Sequence, residues 1–255
     1  MPIATFHQRL NHASVQPAGL AFLVQRCARR LMPVLAIAVL AGCAALDEWP
    51  GIETGSDHDR RIEAGLREAL KVGGDRAVSR LARVDGYFGV PDLRIPLPED
   101  VQPLARRLEQ FGLGRYANEL ELSMNRAAEQ AAGEAMSVLS TSIASMRPAD
   151  VQAILSGPDD AATQFLRQSA GPVLAERYQP IVASSLAQVQ GYHHYQNLVS
   201  RWNRLPTGQP IDFDLETYVT DRALDGLFKL LAEEEQRIRR DPVARTTALL
   251  REIFG

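Results

Sequence analysis

Cysteine is nearly absent from this chain: Cys27 and Cys43 are the only two in 255 residues. No disulfide network can staple the fold, which must stand on an apolar core. Clusters of thiolate metal ligands are excluded as well. Lysine is almost as scarce, since Lys71 and Lys229 are the only ones and arginine supplies every other cation. That usage reads as GC-rich codon bias rather than a demand for guanidinium groups. Acidic residues are missing altogether before Asp47. Catalytic signatures are missing too: there is no Gly-x-Ser-x-Gly elbow and no phosphate-cradling glycine loop. The Glu-x-x-His pairs of a di-iron bundle are also lacking. His193 and His194 are adjacent, so a helix sends them about 100° apart, whereas helical zinc ligands use i,i+4 spacing. No metal and no cofactor is expected.

What is present begins with the first 43 residues. Arg26, Arg29 and Arg30 precede an apolar run, Leu31 to Leu40, which leads into Leu40-Ala41-Gly42-Cys43. The run is too short to span a bilayer, which needs about 20 residues. The order basic, apolar, small-small-Cys resembles the lipobox of a bacterial lipoprotein signal peptide. Residues 1–42 are therefore expected to be removed, leaving Cys43 as an acylated N-terminus that holds the protein to a membrane. Met1 to Leu23 is long for such a signal, and translation from Val24 would give one of ordinary length. Ala44 follows the cysteine, in place of the aspartate that retains enteric lipoproteins in the inner membrane. The expected location is thus the outer membrane, facing the periplasm.

Cleavage would also change the charge. Arg9, Arg26, Arg29 and Arg30 would be lost, leaving 24 cations against 31 acids, a formal −7 instead of −3. A dispersed negative charge argues against nucleic acid, which calls for a basic footprint. The 213 residues from Cys43 onward suffice for one sizeable domain.

Residues 43–58, with Trp49-Pro50-Gly51 and Gly55-Ser56, read as a tether. The remainder, 59–255, shows helical spacing throughout and no strand alternation. Ile62, Leu66, Ala69 and Leu70 mark a helix that Gly73-Gly74 is expected to stop; Ala77, Val78 and Leu81 mark a shorter one. Val101, Leu104, Leu108 and Phe111 form one stripe, with Gly112 placed to cap its end. A long alanine-rich helix is expected from Arg115 to Met146, its stripe running Leu120, Met124, Ala127, Ala131, Ala135, Val138, Ser142, Met146. Short helices follow at 148–155 and 161–169, the latter with Asp159 or Asp160 as N-cap. Another runs over 172–189 with a kink at Pro180, and a further one carries Tyr192, Tyr195, Val199 and Trp202. Leu215 to Ile238 forms a helix braced by Glu233–Arg237 and Glu235–Arg239 pairs. Asp241-Pro242 opens a terminal helix docked by Leu249, Ile253 and Phe254. The expected fold is all-α: a single compact multi-helix bundle of about nine helices with a long, ordered, Pro-rich loop.

That loop, Val84 to Pro98, holds Tyr87, Phe88, Leu93, Ile95 and Leu97, too apolar for a mobile linker. Two readings stand: an arm packed over the bundle, or a lip over a ligand groove with Arg94 pointing inward. Glu121, Asn125 and Glu129 repeat at i,i+4,i+8 beside Arg126. Such a row serves either as a solvated face braced by its own arginine or as carboxylates for cation binding or acid–base work. Arg94, Glu121, Asn125, Arg126 and Glu129 are the candidate ligand- or partner-binding residues. The Arg239 to Thr247 corner is suited either to an anion at a helix start or to plain surface charge balance.

Several stretches together resemble a family of unknown function, DUF4197, found in exported proteins of Gram-negative bacteria. They are Asp92 to Glu99, Glu121 to Glu129, Ile154 to Thr163, Tyr218-Val-Thr, Ala223 to Phe228 and Ala244 to Thr247. The resemblance spans about residues 60–255. It implies one helical domain in the cell envelope and carries no reaction, ligand or catalytic residue with it. The expected role is a lipid-anchored periplasmic module that binds an envelope protein or a small ligand. The alternative is an envelope enzyme working through Glu121, Glu129 and Arg94.

Overall fold

The computed structural model describes residues 55–204 and 212–241. Residues 1–42, read as a signal peptide, Cys43 and the expected terminal helix from Pro242 lie outside the described residues. Eight helices and no strand are found among those described. They are α1 (Gly55–Leu81), α2 (Gln102–Gln110), α3 (Arg115–Ala132), α4 (Ala135–Ala144), α5 (Pro148–Leu155), α6 (Ala161–Ala187), α7 (Gln190–Trp202) and α8 (Leu215–Arg240). None is long and apolar enough to cross a membrane. α1 begins at Gly55, inside the stretch read as a tether.

α3 runs through the middle of the bundle because its inner face is nearly all methyl groups. Ala127, Ala128, Ala131 and Ala132 are fully buried beside Met124, and side chains this small let α6 and α8 come close. The whole predicted stripe from Leu120 to Met146 is buried. It does not lie on one helix, however. At Gly133 and Glu134 the amides bond to Gln130 and Ala131, three residues back, at 3.3 and 3.0 Å. This tighter turn interrupts the ladder between α3 and α4 while the buried face continues.

Two other expected breaks are absent. Gly73-Gly74 sits inside α1, because the glycines face neighbouring helices: a methyl at Gly73 would meet Glu234 and Ile238, and one at Gly74 would meet Met136 at 3.4 Å. Pro172 and Pro180 both lie within α6. Each removes an amide from the ladder, but both rings are exposed, where water can satisfy the freed carbonyls. The opposite face of α6 carries Ala162, Leu166, Ala170, Leu174, Tyr178, Val182 and Leu186, each at most 1% exposed. Tertiary burial on that scale overrides a local breaker.

The start of α6 is capped from far away. The Asp160 side chain makes no capping bond; instead, Glu235 on α8 accepts from the Ala162 amide at 3.0 Å and from the Thr163 amide and hydroxyl at 2.8 Å. Arg239 pairs with this buried carboxylate at 2.9 Å and donates to the Ile154 carbonyl. The predicted Glu235–Arg239 pair therefore exists, but as a buried cap rather than a surface brace. The predicted Glu233–Arg237 pair does not form, since Arg237 bonds Glu234 and Glu233 faces Arg80. Arg240 pairs with Asp159, so the described cations of this corner are engaged by protein carboxylates.

Candidate functional site

The five candidate residues come together, and what they grip is the arm. After α1 the chain turns sharply: Asp85 takes a left-handed φ of 65°, and Gly86 packs so closely that a Cβ there would lie 2.3 Å from the Leu81 carbonyl oxygen. This turn delivers Tyr87 to the core, where its ring is fully buried and its hydroxyl donates to the Ala223 carbonyl at 2.7 Å. Gly226 leaves room for the ring, since a Cβ there would sit 2.7 Å from Tyr87 Cε1. Burial is the main cause that pushes the Tyr87 phenol well above its usual value, with the Tyr178 and Glu129 charges adding to it.

Glu129 holds the first half of the arm. Its Oε1 accepts from the amides of Tyr87 and Phe88 at 3.1 and 3.2 Å, and its Oε2 accepts from Arg126 at 2.6 Å. Arg126 reaches on to Asp85 at 2.7 Å, and these partners, the Glu129 bond first, raise its guanidinium pKa further. Asn125 holds the second half. It accepts from the Ile95 amide and donates to the Ile95 carbonyl, both at 2.9 Å, and donates also to the Glu121 carbonyl on its own helix. One side-chain amide thus pairs with one backbone unit as a neighbouring strand would.

Arg94 closes the outside. Its Nε meets Glu121 at 2.8 Å and its guanidinium covers the Phe88 ring at 4.0 Å, a cation–π contact. It does not point into a groove. Tyr218 and Lys229 on α8 bond the carbonyls of Pro96 and Asp92. Asn125 and Glu129 are 0% and 4% exposed, so the i,i+4,i+8 row is no solvated face; it is the seat of the arm.

A separate, open surface is aromatic. Tyr192, Tyr195, Val199, Phe213 and Glu216 line a cleft of about 440 Å³ beside α7. Tyr192 and Tyr195 stack with centroids 6.2 Å apart. Desolvation first, then a hydrogen bond to Glu216 and its charge, pushes the Tyr192 phenol up to about 12. Desolvation and the charge of Asp100 do the same for Tyr195. The Tyr195 hydroxyl is buried without a hydrogen-bond partner. Of the adjacent histidines, His194 stands edge-on against Tyr116 at 4.8 Å.

Sequence spacing placed Glu121, Asn125 and Glu129 on one side of a helix but gave no sign of their partners in the arm. These are backbone groups about 30 to 40 residues earlier for Asn125 and Glu129 and the Arg94 guanidinium for Glu121. The residue that sequence reasoning missed is Glu235. Its i,i+4 partner made it look like an ordinary surface charge.

A family model describing a protein of unknown function, DUF4197, matches residues 56–255. The chain belongs to that family. The match takes in the arm, its seat on α3 and the Glu235 cap, so these features lie within the DUF4197 domain. No curated protein and no solved structure matched the chain.

Proposed function

We propose that this DUF4197 protein is a lipid-anchored helical module of the bacterial envelope that works by binding rather than by catalysis. Leu40-Ala41-Gly42-Cys43, preceded by a basic and then an apolar stretch, carries the reading. Acylated Cys43 holds the domain to the outer membrane on its periplasmic side, and the aromatic cleft beside α7 is the surface suited to a small ligand or a partner's side chain.

The use made of the arm-seat residues supports binding over chemistry. Glu129 and Asn125 spend their polar atoms on the arm's backbone, while Glu121 and Arg94 neutralise each other. A general acid or base needs a proton-accepting atom facing substrate, and here each of those carboxylates faces protein. Metabolic labelling with palmitate tests the anchor: the native chain takes up label in a Gram-negative host, and Cys43→Ser does not. Equal labelling of both chains would overturn it. Sucrose-gradient fractionation then places the labelled protein, and recovery with the inner membrane would refute the outer-membrane assignment. In-cell crosslinking followed by pull-down identifies what the cleft holds.

A further inference from the structure

The turn between α2 and α3 leaves a large apolar side chain in solvent. Phe111 was expected to continue the stripe of α2, yet it is 76% exposed. Gly112, at φ 74°, ends the helix there: its amide bonds to Glu109, and the Leu113 amide reaches back to Leu108 at 2.7 Å. The chain reverses so abruptly that Phe111 and Leu113, itself 39% exposed, project from the tip. Leu113 also borders an open cleft lined by Leu108, Tyr116, His194 and Arg201.

The segments that meet at this cleft are rich in cations. Residues 102–119 and 190–204 hold Arg106, Arg107, Arg115, Arg201 and Arg204 against only Glu109 and Glu119. Among the described residues, none of the five forms an ion pair with a carboxylate. Arg107 lies over the Trp202 ring at 4.9 Å, Arg115 bonds the Tyr116 hydroxyl, and Arg204 bonds Ser200. In a chain of net negative charge these two segments carry a local excess of guanidinium, five against two carboxylates, beside an exposed aromatic.

We propose that this corner is a second membrane contact: Phe111 and Leu113 enter the interface of an anionic phospholipid bilayer while the arginines meet headgroup phosphates. Three considerations select a bilayer. The charge is complementary to anionic lipid. The exposed apolar surface is two side chains, Phe111 and Leu113, far short of the roughly 800 Å² per side of a stable protein interface, whereas a fluid interface accepts so small an anchor. A second copy docked on the same corner would set two groups of unpaired arginines face to face. The proposal rests on the reading that the domain is held at a membrane.

The test uses the full chain carrying Cys43→Ser, so that acyl chains cannot contribute, with vesicles of phosphatidylcholine alone or with one-third phosphatidylglycerol. A tryptophan is placed at the tip (Phe111→Trp) or, as control, at Val84, which is 72% exposed. The turn holding Val84 is seated at Arg126 and Glu129, roughly 20 Å along α3 from the tip by the helical rise. Acyl-chain bromine should quench F111W in anionic vesicles only, with the signal of the parent chain subtracted, and should leave V84W unaffected. High salt should abolish the quenching, and R106S/R107S should weaken partitioning by roughly thirtyfold. Equal quenching at both positions, or none at either, would overturn the proposal. So would sedimentation velocity showing that the chain self-associates through Phe111. A chain that fails to acquire palmitate leaves this result standing, and a tip that stays in water leaves Cys43 acylation untouched.

Discussion

The two ends of α3 carry the same ingredients in opposite states. Toward the C-terminal end, Arg94 and Arg126 flank Phe88, and each is tied to a carboxylate, Glu121 for one and Glu129 with Asp85 for the other. The ring lies beneath the two guanidiniums. At the N-terminal end, Arg106, Arg107 and Arg115 stand close to Phe111 in sequence, without a carboxylate ion pair among the described residues, and the ring is in water. An arginine–aromatic group that is internally neutralised holds structure together. The same group left open has interaction capacity for something outside the chain. The difference lies in geometry rather than spacing: Glu121 and Glu129 meet Arg94 and Arg126 at 2.8 and 2.6 Å, whereas Glu109 and Glu119, three and four residues beyond Arg106 and Arg115, close no ion pair with them.

The sharpest way to break this contrast is Glu129→Ala. It strips two amides of their acceptor and leaves Arg126 only its exposed partner, so we expect a loss of about 3 kcal/mol in urea unfolding. Asn125→Ala should cost about 2 kcal/mol, and amide exchange should show lost protection at Ile95 first. At the tip, Gly112→Ala meets no neighbour within 4 Å and should cost only the left-handed backbone penalty, about 1 kcal/mol. Gly86→Ala, driven into the Leu81 carbonyl, should cost more than twice that. Phe111→Ser should change stability by less than about 0.5 kcal/mol; a larger loss would mean the ring is not free.

Alkaline titration separates the ends as well. The Tyr87 phenol is raised in the folded protein, so folding favours its protonated form. That contribution is fully present below the ordinary tyrosine value near 10 and is lost as pH rises above it. Tyr87→Phe should therefore flatten the fall in stability above pH 10, as read by chemical denaturation at successive pH values.

The sequence made the helices legible wherever burial and local propensity agreed. Pro148 to Leu155, Leu215 onward and the stripe of α3 follow their apolar spacing, and the arm's apolar content marked it as ordered. Errors arose where tertiary packing overrode a local rule: glycines serving as close contacts in α1, prolines turned to solvent in α6, and a tightened turn at Gly133. The candidate residues were found by spacing, but their use was hidden. A side chain bonded to distant backbone leaves no periodic trace, and neither does a carboxylate such as Glu235 that caps another helix. Phe111 fitted its stripe by number, and only the reversal at Gly112 put it outside.

The Glu235 cap has a consequence for timing. Both the Tyr87 hydroxyl and the start of α6 find their partners on α8, 136 and 72–73 residues further along the chain. A polypeptide that emerges N-terminus first cannot satisfy either until nearly all of it is available, and closing such distant contacts is slow. Premature compaction is thereby disfavoured while the chain is still being made, and α8 acts as the latch that lets the earlier helices settle together.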